Sequence, residues 1–146
     1  MVKILITGWL LLASTGHCEA QTGSRYPMTS KNRQIIVGEG GGFTGGSRAY
    51  YLLESGYLYV KSDTDSLFTP LGRKSAATTR RLFKQLESTC RIKTTHFQEP
   101  GNRYRFVAWK KGPQEFRVTW GDRQKPPPDR FTTFYQSFMA QVPAPK

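Results

Sequence analysis

Histidine and cysteine are scarce in this chain, two of each among 146 residues, and that scarcity removes most metal and thiol chemistry at the outset. No His-x-x-x-His pair and no Cys/His cluster occurs, so no set of residues has zinc-ligand spacing. A Ser-His-Asp triad can be assembled on paper around His96, but no serine sits in a nucleophile motif. His96 reads instead as a loop histidine facing solvent. Acids are also few: ten Asp plus Glu stand against 22 Lys plus Arg, for a net charge of +12. Asp63 and Asp65, with Ser62, Thr64 and Ser66 around them, loosely resemble a calcium loop but lack its glycine and its closing bidentate glutamate. They read as the polar end of a strand. A non-enzymatic protein without cofactor or metal is expected.

Long apolar runs are missing too, except one at the start. Lys3, the run Ile4 to Ala13 and the small residues Ser14-Thr15-Gly16 have the layout of a secretory signal peptide, and the run is short for a membrane span. Cys18 and Ala20 supply the small residues for cleavage after Ala20. The expectation is export to a periplasmic or extracellular space, with a lipid anchor on Cys18 as the alternative. After cleavage Cys90 is the one cysteine left, which excludes an intrachain disulfide. It reads as a small hydrophobe near a helix end.

Residues 21–32 are polar, contain Pro27 and show no periodicity, so they read as a flexible leader. One domain is expected over 33–141, followed by a Pro-rich tail, 142–146. The β-branched run Ile35-Ile36-Val37 marks a strand. Arg48 to Glu54 and Tyr57 to Asp63 are aromatic-rich and separated by Ser55-Gly56, which predicts a hairpin. Leu58 and Val60 share one face of the second strand, Tyr57, Tyr59 and Lys61 the other.

Ser75 is a natural N-cap for a helix to Glu87 with the stripe Leu82, Phe83 and Leu86. Arg91 to Gly101 reads as an irregular loop. A second hairpin follows, Arg103 to Lys110 and Gln114 to Trp120, with Phe116, Val118 and Trp120 alternating against polar residues. After Trp120, Gly121-Asp122 forms a corner at which the carboxylate can accept backbone N–H groups. Pro126-Pro127-Pro128-Asp129 introduces a last helix with Phe131, Phe134, Tyr135, Phe138 and Met139 along one side. The fold class is α+β: a mostly antiparallel sheet of about five strands with two helices on one face.

Against these shortages stands an excess of glycine in one place. Gly38-Glu39-Gly40-Gly41-Gly42-Phe43-Thr44-Gly45-Gly46 holds six glycines in nine residues. Such a cluster weakens a regular element and is tolerated where the backbone must bend through positive φ or lie close to another surface. Gly40-x-Gly42-x-x-Gly45 matches the dinucleotide fingerprint, but strand residues follow it where that chemistry needs a helix N-terminus. No Gly-Lys-Ser/Thr closes a phosphate loop either, so no nucleotide is expected. The candidate binding residues are Gly41, Gly42, Phe43, Thr44 and Gly45. A lone aromatic within a glycine turn is expected to pack inward more often than to be displayed.

The basic residues are interleaved with aromatics, as in nucleic-acid binders, yet they are spread along the chain. Export removes ordinary nucleic-acid partners. The charge reads as a solvated basic surface or as a site for an anionic polymer, lipid headgroups or an acidic protein.

The motif Gly41-Gly42-Phe43-Thr44-Gly45, followed by strands, a helix, a strand pair around Tyr104 to Trp120 and a closing helix, resembles emfourin, a small inhibitor of thermolysin-type metalloproteases. In that family Ala tends to stand where Thr44 does, and this chain adds a leader and a more basic composition. The fuller Gly-Gly-Gly-Phe-Thr-Gly and Thr-Trp-Gly-Asp signatures are similar to those of a group of exported bacteroidete-type proteins that carries no known activity. The emfourin resemblance implies a protein-partner binding module, with a thermolysin-type metalloprotease as partner and Phe43 as an anchor. An envelope protein holding an anionic polymer or lipid is the alternative.

Overall fold

Runs of β-branched and aromatic residues separated by Gly and Ser become strands, and they pair in a single sheet. The computed structural model of the chain describes residues 26–144. The expected signal peptide, the Cys18 anchor, residues 21–25 of the leader and the last two residues of the tail lie outside the described residues. The strands are β1 (Gln34–Gly41), β2 (Ser47–Leu53), β3 (Tyr57–Ser62), β4 (Thr69–Arg73), β5 (Phe97–Glu99), β6 (Arg103–Lys111) and β7 (Gln114–Trp120). Their order is β4-β3-β2-β1-β6-β7-β5. Every pairing is antiparallel except β5 with β7, which is parallel.

The α+β class holds, but the sheet has seven strands, not about five. The two unforeseen strands are its edges. β4 contains Pro70 and Gly72, residues that weaken a strand signal and are tolerated where one side of the ladder is unpaired. β5 is three residues long and lies inside the segment read as an irregular loop.

The helices are α1 (Tyr26–Thr29), α2 (Ala76–Lys84) and α3 (Asp129–Met139). α1 is a single turn within the segment read as a flexible leader. It is tied down by Gln34, whose side-chain amide donates to the carbonyl of Pro27 at 3.1 Å, and Pro27 itself is buried. Ser75 caps α2 as its hydroxyl chemistry requires, accepting the N–H of Thr78 at 3.1 Å. Beyond Lys84 the helix widens into a π turn, Gln85–Thr89, closed by the Cys90 N–H donating to the Gln85 carbonyl at 2.8 Å.

α2, the π turn and α3 cover one face of the sheet. There Ile35, Val37, Val107, Trp109 and Val118 pack against Leu82, Leu86, Phe131, Phe134 and Phe138. Cys90 belongs to this core. Burial pushes its thiol up to about 11, and the sulfur donates to the Arg130 carbonyl at 3.3 Å. A buried, protonated thiol is a packing residue, not a nucleophile. Among the described residues no long helix covers the opposite face. Ile36, Phe106 and Ala108 are nevertheless buried there under Tyr51 and Tyr104, with the Arg117 guanidinium 4.2 Å above the Phe106 ring.

One polar network ties the helical layer to the sheet. Glu87 accepts the indole N–H of Trp109 at 2.7 Å and the Arg33 guanidinium at 3.0 Å. Arg33 also bonds Glu54 and lies over the Phe83 ring. The hydrogen bond from Arg33 is the main cause holding the Glu54 carboxyl below its ordinary value.

Glu87→Ala leaves the buried Trp109 N–H without an acceptor. The expected loss is about 2 kcal/mol in urea unfolding. An unchanged midpoint would show that the network contributes nothing. The Glu54 carboxyl binds its proton less readily folded than unfolded, so its contribution is full above the ordinary value near 4.5 and drains as pH falls below it. Glu54 is largely exposed, so the effect stays below about 1 kcal/mol. Glu54→Gln should flatten the acid limb of the stability profile by that amount, and an identical limb would refute it.

Candidate functional site

The glycine cluster is where β1 runs out of core. Its first half belongs to β1 itself, and the residues after Gly41 make the loop that turns into β2. Three backbone hydrogen bonds stitch this loop: Gly41 N–H to Gly46 O at 3.1 Å, Gly45 N–H to Gly42 O at 3.1 Å, and Gly42 N–H to Asn102 O at 2.7 Å. Gly41 has φ +84 and lies so close to the Asn102 carbonyl that a Cβ would overlap it.

Phe43 stands at the tip with relative exposure of 108%. The expectation that it packs inward is therefore corrected. The loop overhangs the sheet beyond the last core residues of β1, so no apolar neighbour is within reach. Thr44, Gly45 and Gly46 are exposed as well, and Gly41 and Gly42 are half-buried.

The Trp120-Gly121-Asp122 corner arrives at the same end of the sheet from the other side. Trp120 is buried, its ring edge-on to Tyr135 at 5.7 Å. A Cβ on Gly121 would meet Gly101 N at 2.7 Å and Tyr104 Cα at 2.9 Å, so β7 ends pressed against the start of β6. Asp122 accepts the Gln124 N–H at 2.8 Å, closing the corner as its side chain predicts. Asn102 and Arg103 link this corner to the glycine loop.

Between them lies a groove of about 980 Å³. The register explains its floor. Ser62 of β3 faces Arg48 of β2, Arg48 faces Glu39 of β1, Glu39 faces Arg105 of β6, and Arg105 faces Trp120 of β7. These five residues form one row across five strands on the helix-bearing face; Tyr135 of α3 still packs on Trp120 and lies under Arg105, whereas Glu39 and Arg48 are exposed. Pro126 and Pro127, leading into α3, wall one side.

The acids of the groove are already engaged. Asp63 accepts the backbone N–H groups of Ser47 at 3.1 Å and Thr64 at 3.0 Å. Asp122 closes its corner, and Glu39 pairs with Arg105 at 3.9 Å. Arg48, Arg103 and Arg123 line the same groove, and none has a carboxylate partner among the described residues. Burial first, then the charge of Glu39, pushes the Tyr135 hydroxyl up to about 12, so it remains protonated beneath the row.

Of the residues expected to bind, Gly41 and Thr44 line the groove, while Phe43 projects from the loop above it. Asp63 and Asp65 cap the strand end, Asp65 accepting the Ser62 N–H at 3.0 Å. His96 is exposed beside β5, away from the groove. Sequence reasoning missed Arg48, Arg103, Arg105 and Glu39. Their signal was available only as alternation on β6, Arg103 and Arg105 sharing a face, and it needed the register with β1 and β2 to acquire a location. Among the described residues no helix is long and apolar enough to cross a membrane. No protein-family model matches the chain, and no curated protein matches it in sequence.

Gly121→Ala forces backbone apart at the joint between β6 and β7, with an expected loss of about 2 kcal/mol or more. The structural reading predicts loss of the corner along with it, visible as faster amide exchange at Asn102 and Arg103. A variant as stable and as protected as the native chain would remove the close approach as the reason for glycine here.

Proposed function

We propose that this chain is an exported, non-enzymatic binding module that presents Phe43 on a fixed loop to an apolar pocket of a protein partner. The observation that carries the reading is the combination of a fully exposed phenylalanine with a loop closed by three backbone hydrogen bonds. An aromatic ring displayed in water gains most by entering a pocket, and aromatic anchors dominate interface energies. A loop already held in one shape loses little further entropy on docking. Neighbouring glycines add no side chains that would block the approach of a partner.

The partner class that the emfourin-like motif points to is a thermolysin-type metalloprotease. Inhibition would then consist of a rigid loop occupying the mouth of the cleft with Phe43 inserted. The chain needs no catalytic group of its own for that role, only shape and persistence.

The test is inhibition of a panel of thermolysin-type enzymes by the purified chain, with Phe43→Ala alongside. The variant should keep its unfolding midpoint, because the ring has no buried contacts to lose. Its inhibition should weaken about 30-fold, as for a central aromatic anchor. Absence of inhibition across the panel removes the protease as partner. Equal binding by both forms to any partner found removes the loop as the contact.

A further inference from the structure

The groove beneath the Phe43 loop has an electrostatic character that the loop alone does not explain. Asp63 and Asp122 are spent on backbone turns and Glu39 is loosely paired with Arg105, while Arg48, Arg103 and Arg123 are unpaired among the described residues. Four arginines, Arg48, Arg103, Arg105 and Arg123, thus share one loosely held carboxylate, Glu39, and a groove with that excess of positive charge is complementary to an anion. We propose that the groove binds an acidic, extended peptide segment, with Arg48 and Arg105 as the paired carboxylate ligands. The inference rests on the partner-binding reading above and names the chemistry that such a partner would bring beside its apolar pocket.

Geometry favours carboxylates on a peptide. Arg48 and Arg105 flank Glu39 on the adjacent strands, so their roots lie two strand spacings apart, about 10 Å. A peptide in the extended polyproline II conformation has three residues per turn and rises about 3.1 Å per residue, so carboxylates three residues apart share one face and lie about 9 Å apart. The guanidinium fork matches a carboxylate with two parallel hydrogen bonds, which a lysine could not do. Both arginines are accessible: Arg48 is exposed, and the Arg105 side chain is 59% exposed.

Glu39 explains how the site is held when empty. It stands between the two arginines in the strand register, with its carboxylate 3.9 Å from Arg105. It is an internal occupant, 57% exposed and loosely paired, that an external carboxylate displaces. A long anionic polymer is a poorer fit. Cations serving such a polymer are strung along a surface, whereas here they converge on a groove closed on one side by Pro126 and Pro127.

The experiment uses the full chain, a short labelled peptide with glutamate at every third position, and fluorescence anisotropy at low ionic strength. The native chain should bind this peptide, and a heparin-derived oligosaccharide should compete weakly. Arg48→Ala and Arg105→Ala should each weaken binding about tenfold. Glu39→Gln should strengthen it several-fold, a gain that unfolding cannot imitate. Arg117→Ala, on the opposite face, should change nothing.

Arg48→Gln, which keeps two of the stem's three methylenes and a polar end, serves as a second variant if Arg48→Ala unfolds. Failure of the native chain to bind, binding that survives loss of both arginines, or weaker binding by Glu39→Gln would each overturn the proposal. Tighter, Arg48-dependent binding of the oligosaccharide would overturn it in favour of a polymer. Because the titration contains no partner protein, its result is independent of the Phe43 experiment.

Discussion

Strand β1 is hydrogen-bonded on both sides, to β2 and to β6, along nearly its whole length, and the rest of the molecule is placed by that double pairing. A strand flanked on both sides has no freedom of register. Its alternation therefore decides what each face of the sheet becomes. Ile35 and Val37 point into the helix-covered core, and Ile36 sits beneath the tyrosines of the opposite face. Two residues past Val37 the same alternation delivers Glu39 to the core side at the margin of the helices' cover, beside Tyr135. The groove is thus the continuation of the core face where its cover thins: Tyr135 still packs on Trp120 and Arg105, while Glu39 and Arg48 meet water.

Turn chemistry gives this groove its charge. Asp63 and Asp122 in its lining, and Asp65 next to it in the chain, would soften a positive site if their carboxylates were free. Each instead accepts backbone N–H groups at a strand end or corner. The carboxylates that shape the local backbone are thereby occupied, and the arginines beside them keep their donors for something else. A net charge summed along the sequence cannot show this, because it counts a capping aspartate and a free one alike.

Much of the architecture is legible in the residues themselves. The two hairpins, the Ser75 cap and the aromatic side of α3 follow from local alternation, helical spacing and hydroxyl chemistry, and the structure has all of them. The edges were hidden for physical reasons. β4 carries Pro70 and Gly72, and β5 is too short to show a period, so both are strands only because a neighbour offers hydrogen bonds. The site divides in the same way. Glycines at positions 41 and 42 announced a special backbone, but the exposure of Phe43 depends on how far the hairpin overhangs. The arginine row depends on pairing among segments far apart in the chain, which no local pattern encodes.

The double pairing of β1 also bears on the order in which the fold can be made. The partner on one side, β2, follows at once, but the partner on the other is β6, Arg103–Lys111. Before β6 is available, β1 presents an unsatisfied edge and Ile35 and Val37 have only half of their neighbours. Non-local pairings of this kind must close long loops before any contact rewards them, so they form late and slowly. A chain stopped short of residue 103 would lack β6, β7 and α3, and with them most of the aromatic layer that closes the core. The core therefore cannot close until much of the chain is made, with its central strand waiting for a partner that comes more than sixty residues later.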